Sequence, residues 1–276
     1  MDSRHSDSPI LYKVAHISDV HFGRIAHPEI VDGLVKEINA ENVDLVVVSG
    51  DLTQRAFPHQ YRGASKMLAS FNAPWIAVPG NHDVFPWWRA FSRLTDPLRR
   101  FRKMIVDDLS PTFQKPGIAV LGINSAFGRT IQGGRIDESQ RDAMRKFYTG
   151  LPNSTFRILT VHHHLALLEG LGDHDIAHDA EETLHCAADL NVDLILCGHL
   201  HVSHVAHVQT IPGGNPIVIA SAGTATSDRG REPQKKVNFY NQIAISAEEF
   251  RVVERQYNTR SLGFDEARTT VFERSA

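Results

Sequence analysis

Asp44-Leu45-Val46-Val47-Val48-Ser49-Gly50-Asp51 is the stretch whose reading decides the fold class. Four consecutive aliphatic residues leave no polar face, so the run suits a strand buried on both sides, as in a parallel sheet covered by helices. It stops at Gly50-Asp51, a turn signal that also sets a carboxylate at the strand's carboxyl end. Upstream, residues 13–18 predict a short strand. Residues 29–39 predict a helix between the two, because Ile30, Leu34, Val35 and Ile38 recur at helical spacing. Downstream, residues 60–70 read as helix and 75–78 as a third strand closed by Pro79-Gly80. This β-α-β-α-β order implies a parallel sheet with helices on its face.

Residues 86–109 break the pattern: Trp87, Trp88, Phe91 and Phe101 stand among Arg89, Arg93, Arg99, Arg100 and Arg102. They read as a helical insertion near one mouth of the fold. Strands are expected at 118–123, 156–161 and 193–197, with helices at 137–147 and 180–190. From His201 onward helices disappear, and runs at 202–210, 216–220, 237–244 and 250–255 predict a mostly antiparallel sheet. Residues 1–9 read as a disordered lead-in, 10–257 as one domain, 170–179 as a glycine-rich loop bordering the site, and 258–276 as a polar, loose tail. The chain has 276 residues and a net charge of -3, with 29 basic against 32 acidic side chains, so no global basic field would gather nucleic acid. No apolar run reaches the roughly 20 residues of a membrane helix, and the N-terminus lacks a secretory stretch. Two cysteines, Cys186 and Cys197, exclude a disulfide scaffold, and a reducing cytoplasm is the expected compartment. Homo-oligomerisation is left open.

Histidine is the outlier, with 16 copies. Five clusters fall at or just past expected strand ends: Asp19-Val20-His21, Gly50-Asp51, Gly80-Asn81-His82-Asp83, His162-His163-His164 and Gly198-His199-Leu200-His201. In open α/β sheets, ligand sites gather at those ends. In an extended chain residues two apart point the same way, so Asp19 and His21 form a pair, as do His199 and His201. Carboxylate oxygen with imidazole nitrogen suits zinc, manganese or iron, whereas calcium takes oxygen almost throughout. The pool exceeds what one tetrahedral ion needs and fits two ions sharing a carboxylate. Each cluster alone has a plainer reading as a turn or a solvated strand end; the ordered set does not.

In that order, D-x-H, G-D, G-N-H-D, H-H and G-H-x-H, the chain resembles the calcineurin-like metallophosphoesterase superfamily over about residues 12–247. The resemblance implies an α/β fold: a four-layer αββα sandwich of two mixed β-sheets flanked by helices. It implies two metal ions (manganese, iron or zinc), one held by Asp19, His21, Asp51 and His201. The other would be held by Asp51, Asn81, His163 and His199, with Asp51 bridging. The fourth motif has two registers. Aligning Leu165 with the proline common there selects His163, the preferred ligand; aligning on the strand end selects His162. His82 would stand beside the ions as the group that protonates the leaving oxygen, and Asp83 would orient its ring, the turn reading of Asp83 standing beside that role.

The implied reaction is in-line attack on phosphorus by a hydroxide held between the ions. The segments 51–56 and 222–227, with Asn238 and Asn241, resemble the bacterial class III cyclic nucleotide phosphodiesterases. The expected substrate is therefore a small phosphodiester, a 3′,5′-cyclic nucleotide included. The alternatives are a lipid-linked pyrophosphatase of the UDP-2,3-diacylglucosamine type, to which the aromatic and arginine mixture of 86–109 is suited, and a non-catalytic scaffold. The scaffold is disfavoured because every ligand type and His82 are present. Phe22 reads as packing and Arg24 as a solvated charge.

Overall fold

The computed structural model describes residues 9–130, 133–167, 174–209, 216–232 and 234–274. Residues 1–8, most of the expected lead-in, and 170–173 of the expected glycine-rich loop lie outside these. Two six-stranded sheets face each other. In the first, β1 (Tyr12–Ile17), β2 (Leu45–Val48) and β3 (Trp75–Ala77) run parallel, and β10 (Phe239–Ile245), β11 (Glu249–Asn258) and β12 (Gly263–Glu273) continue it antiparallel from β1. In the second, β5 (Ile118–Ile123), β6 (Phe156–Val161), β7 (Leu194–Cys197) and β9 (Ile217–Ser221) run parallel. The antiparallel edges of that sheet are β4 (Thr112–Lys115) and β8 (His204–Val208).

Three apolar clusters hold the layers together. On β2, Leu45 and Val47 join the cluster between the sheets, with Ile118, Val120, Phe156 and Leu196 opposite. Val46 and Val48 point the other way, to α1 (Ile30–Ala40) and α2 (Pro58–Ala69). The run is continuously apolar because both its faces are covered. A third cluster packs α5 (Glu138–Tyr148) and α6 (Ala180–Asp189) on the outer face of the second sheet. The result is the four-layer αββα sandwich of two mixed sheets. No helix of the described residues is long and apolar enough to cross a membrane.

Two expectations are corrected. The β-rich second half is not one sheet: β8 and β9 complete the second sheet, with β9 parallel to β7, and β10 to β12 complete the first. The expected loose tail forms the edge strand β12. Phe272 lies opposite Phe250, and Phe264 opposite Tyr257. Both phenylalanines are buried, while residues 265–269 between them are exposed. Two anchors flanking a polar stretch are enough to dock an edge strand, which keeps its exposed side hydrophilic. The 86–109 segment forms two short helices, α3 (Ala90–Thr95) and α4 (Arg99–Met104), and its buried Phe101 packs edge-on against Tyr61 of α2.

Candidate metal centre

The loops after β1, β2 and β3 meet the loops after β6 and β7 at the seam between the sheets. They are tied there by backbone bonds from Asp19 N to Gly50 O (3.1 Å), His21 N to Asp51 O (2.9 Å) and Gly198 N to His162 O (3.0 Å). The i, i+2 pairs converge for a reason other than the expected extended backbone. Asp19, His21, Asp51, His199 and His201 all have left-handed backbones, with φ of 52°, 51°, 54°, 69° and 58°. A side-chain-bearing residue rarely adopts that region, and its repetition here marks strain held at a site by its surroundings. The neighbouring glycines are required by close approach: a Cβ at Gly80 would overlap the Asp51 carboxylate, and one at Gly198 would overlap Ser18 Oγ.

Asp19, His21, Asp51 and His201 form one buried cluster, and His162, His163 and His199 a second beside it. Asp19 Oδ1 faces His201 Nε2 at 3.0 Å and His21 Nε2 at 3.5 Å. Asp51 Oδ2 faces His21 Nε2 at 3.6 Å and His162 Nε2 at 3.5 Å, which puts Asp51 between the clusters. Asn81 Oδ1 sits 3.2 Å from His162 Nε2 and 3.1 Å from His199 Nδ1. Three rings are held from behind. His21 Nδ1 meets the Thr53 carbonyl (3.4 Å), His162 Nδ1 that of Ser49 (2.7 Å), and His201 Nδ1 that of Arg229 (2.7 Å). A carbonyl accepts only from N–H, so each Nδ1 carries the proton and each Nε2 turns a lone pair inward.

Those lone pairs have no protons to meet. His21 Nε2 and His201 Nε2 stand 3.1 Å apart, and the buried oxygens Asp19 Oδ1 and Asp51 Oδ2 take no hydrogen bond. Buried acceptors facing buried acceptors cost free energy unless a cation lies among them. The titration behaviour agrees. Burial holds His21 down to about 4, His162 to about 3 and His199 to about 2, so the imidazoles are neutral, the form that binds metal. Burial, then the charges of Asp19 and Asp83, push Asp51 well above the usual carboxylate range. The donor set fits metal ions.

Two histidines of the fourth motif, His162 and His163, lie in the second cluster. β6 stops at Val161, so His162 is the first residue past it and reaches both Asp51 and Asn81. His163 turns Nδ1 to Ser125 Oγ at 2.7 Å and packs its ring against His199, with centroids 4.6 Å apart. His164 is buried away from the cluster, against Ser221 Oγ at 3.2 Å.

His82 is half-buried at the floor of a cleft of about 220 Å³ that Gln54, Arg55, Trp87 and Arg229 also line. Its Nδ1 meets the Gln54 carbonyl at 2.9 Å and its backbone N–H donates to Asp51 Oδ1 at 2.8 Å. Asp83 does not orient that ring. Its carboxylate accepts from Leu52 N (3.1 Å), Thr53 N (2.9 Å), Thr53 Oγ1 (2.9 Å) and Gly80 N (3.1 Å), clamping the loop that carries Asp51 to the loop that carries Asn81. The expected orienting role is therefore replaced by the turn role.

The segment 222–227 is likewise a support. Thr224 Oγ1 donates to Asp19 O and Thr226 Oγ1 to Val20 O, both at 2.7 Å, pinning the first motif from behind. Asn238 Nδ2 holds that segment in turn, through Thr224 O and Ser227 O. Arg24 pairs with Asp228 in two bonds of 2.9 and 3.0 Å at the surface, and Phe22 packs on the first core. Arg229 escaped the sequence reading. Its one sequence signal is an Asp-Arg pair directly after a run of small residues, and here its carbonyl seats His201 while its side chain lines the cleft.

Residues 12–203 match the model of the calcineurin-like phosphoesterase family. The chain is 26% identical over 208 residues to the 3′,5′-cyclic adenosine monophosphate phosphodiesterase CpdA of Haemophilus influenzae, covering 71% of this chain and 72% of that one. It is 29% identical over 163 residues to the CpdA of Escherichia coli K12, covering 57% of this chain but only 54% of that relative. Among solved structures it superposes on a dimetal phosphatase from Danio rerio with a TM-score of 0.63 at 13% identity, over 97% of this chain and all of that one. It also superposes on the purple acid phosphatase PPD1 of yellow lupin with a TM-score of 0.65 at 11% identity, over 97% of this chain and 54% of that one. These two likenesses speak for the fold. With the family match over most of its length, and with a buried centre built for cations, the chain belongs to the calcineurin-like phosphoesterases, the metal-dependent hydrolases of phosphoesters.

Proposed function

We propose that this chain is a two-metal phosphodiesterase acting on small phosphodiesters. One ion is held by Asp19, His21, Asp51 and His201, and the second by Asp51, Asn81, His162 and His199, with His163 packed beside them. The observation that carries this reading is the pair of buried, hydrogen-bond-free oxygens on Asp19 and Asp51, facing inward-turned Nε2 atoms across the seam. Manganese, iron and zinc all suit a mixture of imidazole and carboxylate. When bound, two such ions supply Lewis acidity toward a phosphoryl oxygen and lower the pKa of the attacking water.

The chain's own groups do the rest. Asp19 and Asp51 cancel only part of the ions' charge, so the floor of the cleft attracts an anionic diester. Arg229 adds a half-buried guanidinium at the cleft wall, placed to bind a phosphoryl oxygen. His82 keeps its Nδ1 proton on Gln54 O, which leaves Nε2 to the cleft. Burial, with His21 and Arg229 nearby, holds the free ring neutral, at about 2. The role proposed for His82, handing a proton to the leaving oxygen, requires the bound anionic diester to raise the ring's proton affinity. The relatives named as cyclic adenosine monophosphate phosphodiesterases support a cyclic nucleotide as one such diester. Exposed aromatic side chains at the mouth of the cleft keep a lipid-linked pyrophosphate as the second reading.

The test is turnover of bis(p-nitrophenyl) phosphate and of 3′,5′-cyclic AMP by metal-stripped protein given back manganese, beside Asp51→Ala and His82→Ala. Turnover of both diesters, lost in both variants, is expected. Turnover of the artificial diester alone removes the cyclic nucleotide and brings forward the lipid-linked substrate. No turnover by protein carrying two ions refutes the reading.

A further inference from the structure

The segment after β3 carries the largest concentration of exposed apolar side chains among the described residues. Trp87 is 67% exposed, Trp88 49%, Phe91 81% and Leu94 66%. All four sit on the short 3-10 turn Trp87–Arg89 and on α3, and Trp87 also lines the cleft beside His82. A cluster of large apolar groups left in water next to a binding cleft marks a contact surface.

Charge identifies what it contacts. Residues 84–103 hold five arginines and one lysine against one aspartate, a net of +5 in a chain whose net charge is -3. Three of these cations have polar partners: Arg102 is paired with Asp96 at 2.6 Å, buried Arg93 donates to the Phe85 carbonyl, and Arg100 donates to the Ala56 carbonyl at 2.8 Å. Arg89, Arg99 and Arg100 converge on the Phe85 ring at 5.9, 5.7 and 4.8 Å, and among the described residues none of the three pairs with a carboxylate. Burial and the charges of Arg89 and Arg99 lower the proton affinity of Arg100, a crowding that an anion relieves. Arg55 lies over the Trp88 ring at 5.8 Å and extends the basic rim to the cleft.

A second copy of the chain is a poor occupant. A two-fold contact through this face would set one +5 segment against another, and the core of a protein interface is depleted in charge. Tryptophan and phenylalanine interleaved with arginine match instead the boundary of an anionic bilayer, where indole rings sit at headgroup level and basic side chains meet lipid phosphates.

We propose that Trp87, Trp88, Phe91 and Leu94, rimmed by Arg55, Arg89, Arg99 and Arg100, dock this protein peripherally on an anionic phospholipid surface, with the mouth of the catalytic cleft turned toward the lipid. The docking does not depend on the phosphodiesterase reading, because it needs no turnover. Its consequence for that reading is that substrates presented at a membrane surface arrive next to His82.

The experiment is co-sedimentation of the full chain with vesicles of phosphatidylcholine alone and of phosphatidylcholine mixed with phosphatidylglycerol, at low and high salt. The wild type is expected to sediment with the anionic vesicles, less so at high salt, with a blue shift of its tryptophan emission. Phe91→Ser combined with Leu94→Ser lowers the partition coefficient by roughly tenfold or more while keeping the wild-type unfolding temperature, since both side chains lie in water. Arg89→Glu combined with Arg99→Glu removes the preference for phosphatidylglycerol. The proposal is overturned if the wild type stays in the supernatant with anionic vesicles, or if the serine variant sediments like the wild type. A dimer in solution that the serine variant abolishes, with no vesicle binding, assigns the face to a second copy instead.

Discussion

Replacing Asp83 separates a carboxylate that holds the site together from one that acts through His82. In Asp83→Ala, four donors lose their acceptor: Leu52 N, Thr53 N, Thr53 Oγ1 and Gly80 N. The carboxyl is 1% exposed, so water reaches these donors only by opening the loops. At about 1 kcal/mol per stranded donor, the low end of the range, the loss is roughly 4 kcal/mol. For 276 residues the unfolding entropy is about 0.6 kcal/mol/K, so the midpoint falls by about 7 °C. Asp83→Asn keeps one oxygen and sets its NH2 group against two N–H donors, for about half that loss or more. His82→Ala removes a half-buried ring with a single hydrogen bond from Nδ1 and leaves the midpoint within about 2 °C. The assay is calorimetric unfolding of the four proteins in chelator, so that metal affinity does not enter, with diester turnover measured in parallel. If Asp83→Ala unfolds at the wild-type temperature while its turnover falls as far as that of His82→Ala, the clamp argument is wrong and the carboxylate acts through the ring.

Three further outcomes are expected. His162→Ala leaves one ion bound per chain by metal analysis, whereas His163→Ala keeps two; the opposite result would return the fourth ligand to His163. Asp193 is raised to about 6 by burial, despite accepting from Arg157 N at 2.7 Å. The unfolded chain ionises near 3.9, so between these values the native state binds more protons and its stability falls as pH rises, by about 3 kcal/mol in all. Unfolding midpoints of Asp193→Asn minus wild type should therefore rise from pH 4 to 6, and a flat difference contradicts the shift. Phe272→Ala, which removes a buried ring stacked 5.1 Å from Phe250, should cost about 3 kcal/mol in denaturant unfolding; a loose tail would cost nothing.

What could be read in the chain followed from how completely each element is buried. β2 is covered on both faces, so its aliphatic run is unbroken, and a ligand loop follows at its end. β12 was invisible because only Phe264 and Phe272 are buried in it, too few to set up an alternation. At the fourth motif, aligning on Leu165 favours His163 and the strand end favours His162, the ligand proposed above. What supports His162 is the Ser49 carbonyl that seats its ring, and that carbonyl lies past the end of β2, in the other sheet's half of the seam. Asp83 had two readings, orienting His82 or holding a turn, and its carboxylate takes the second by accepting from Leu52, Thr53 and Gly80. A sequence motif does not distinguish a residue that touches the reacting atoms from one that holds the loop beneath them.

The left-handed backbones at five of the proposed ligands set stability against retention of the site. At φ near 50–70° the residue that folds best is glycine, by something on the order of 1 kcal/mol over a branched or ring-bearing side chain. At Asp19, His21, Asp51, His199 and His201 alike, the substitution that relieves the backbone therefore deletes a metal donor. Screening for heat tolerance without an activity requirement would enrich glycine at these five positions first. Conversely, a member of this fold that keeps side chains at all five is under continuing selection for what they hold.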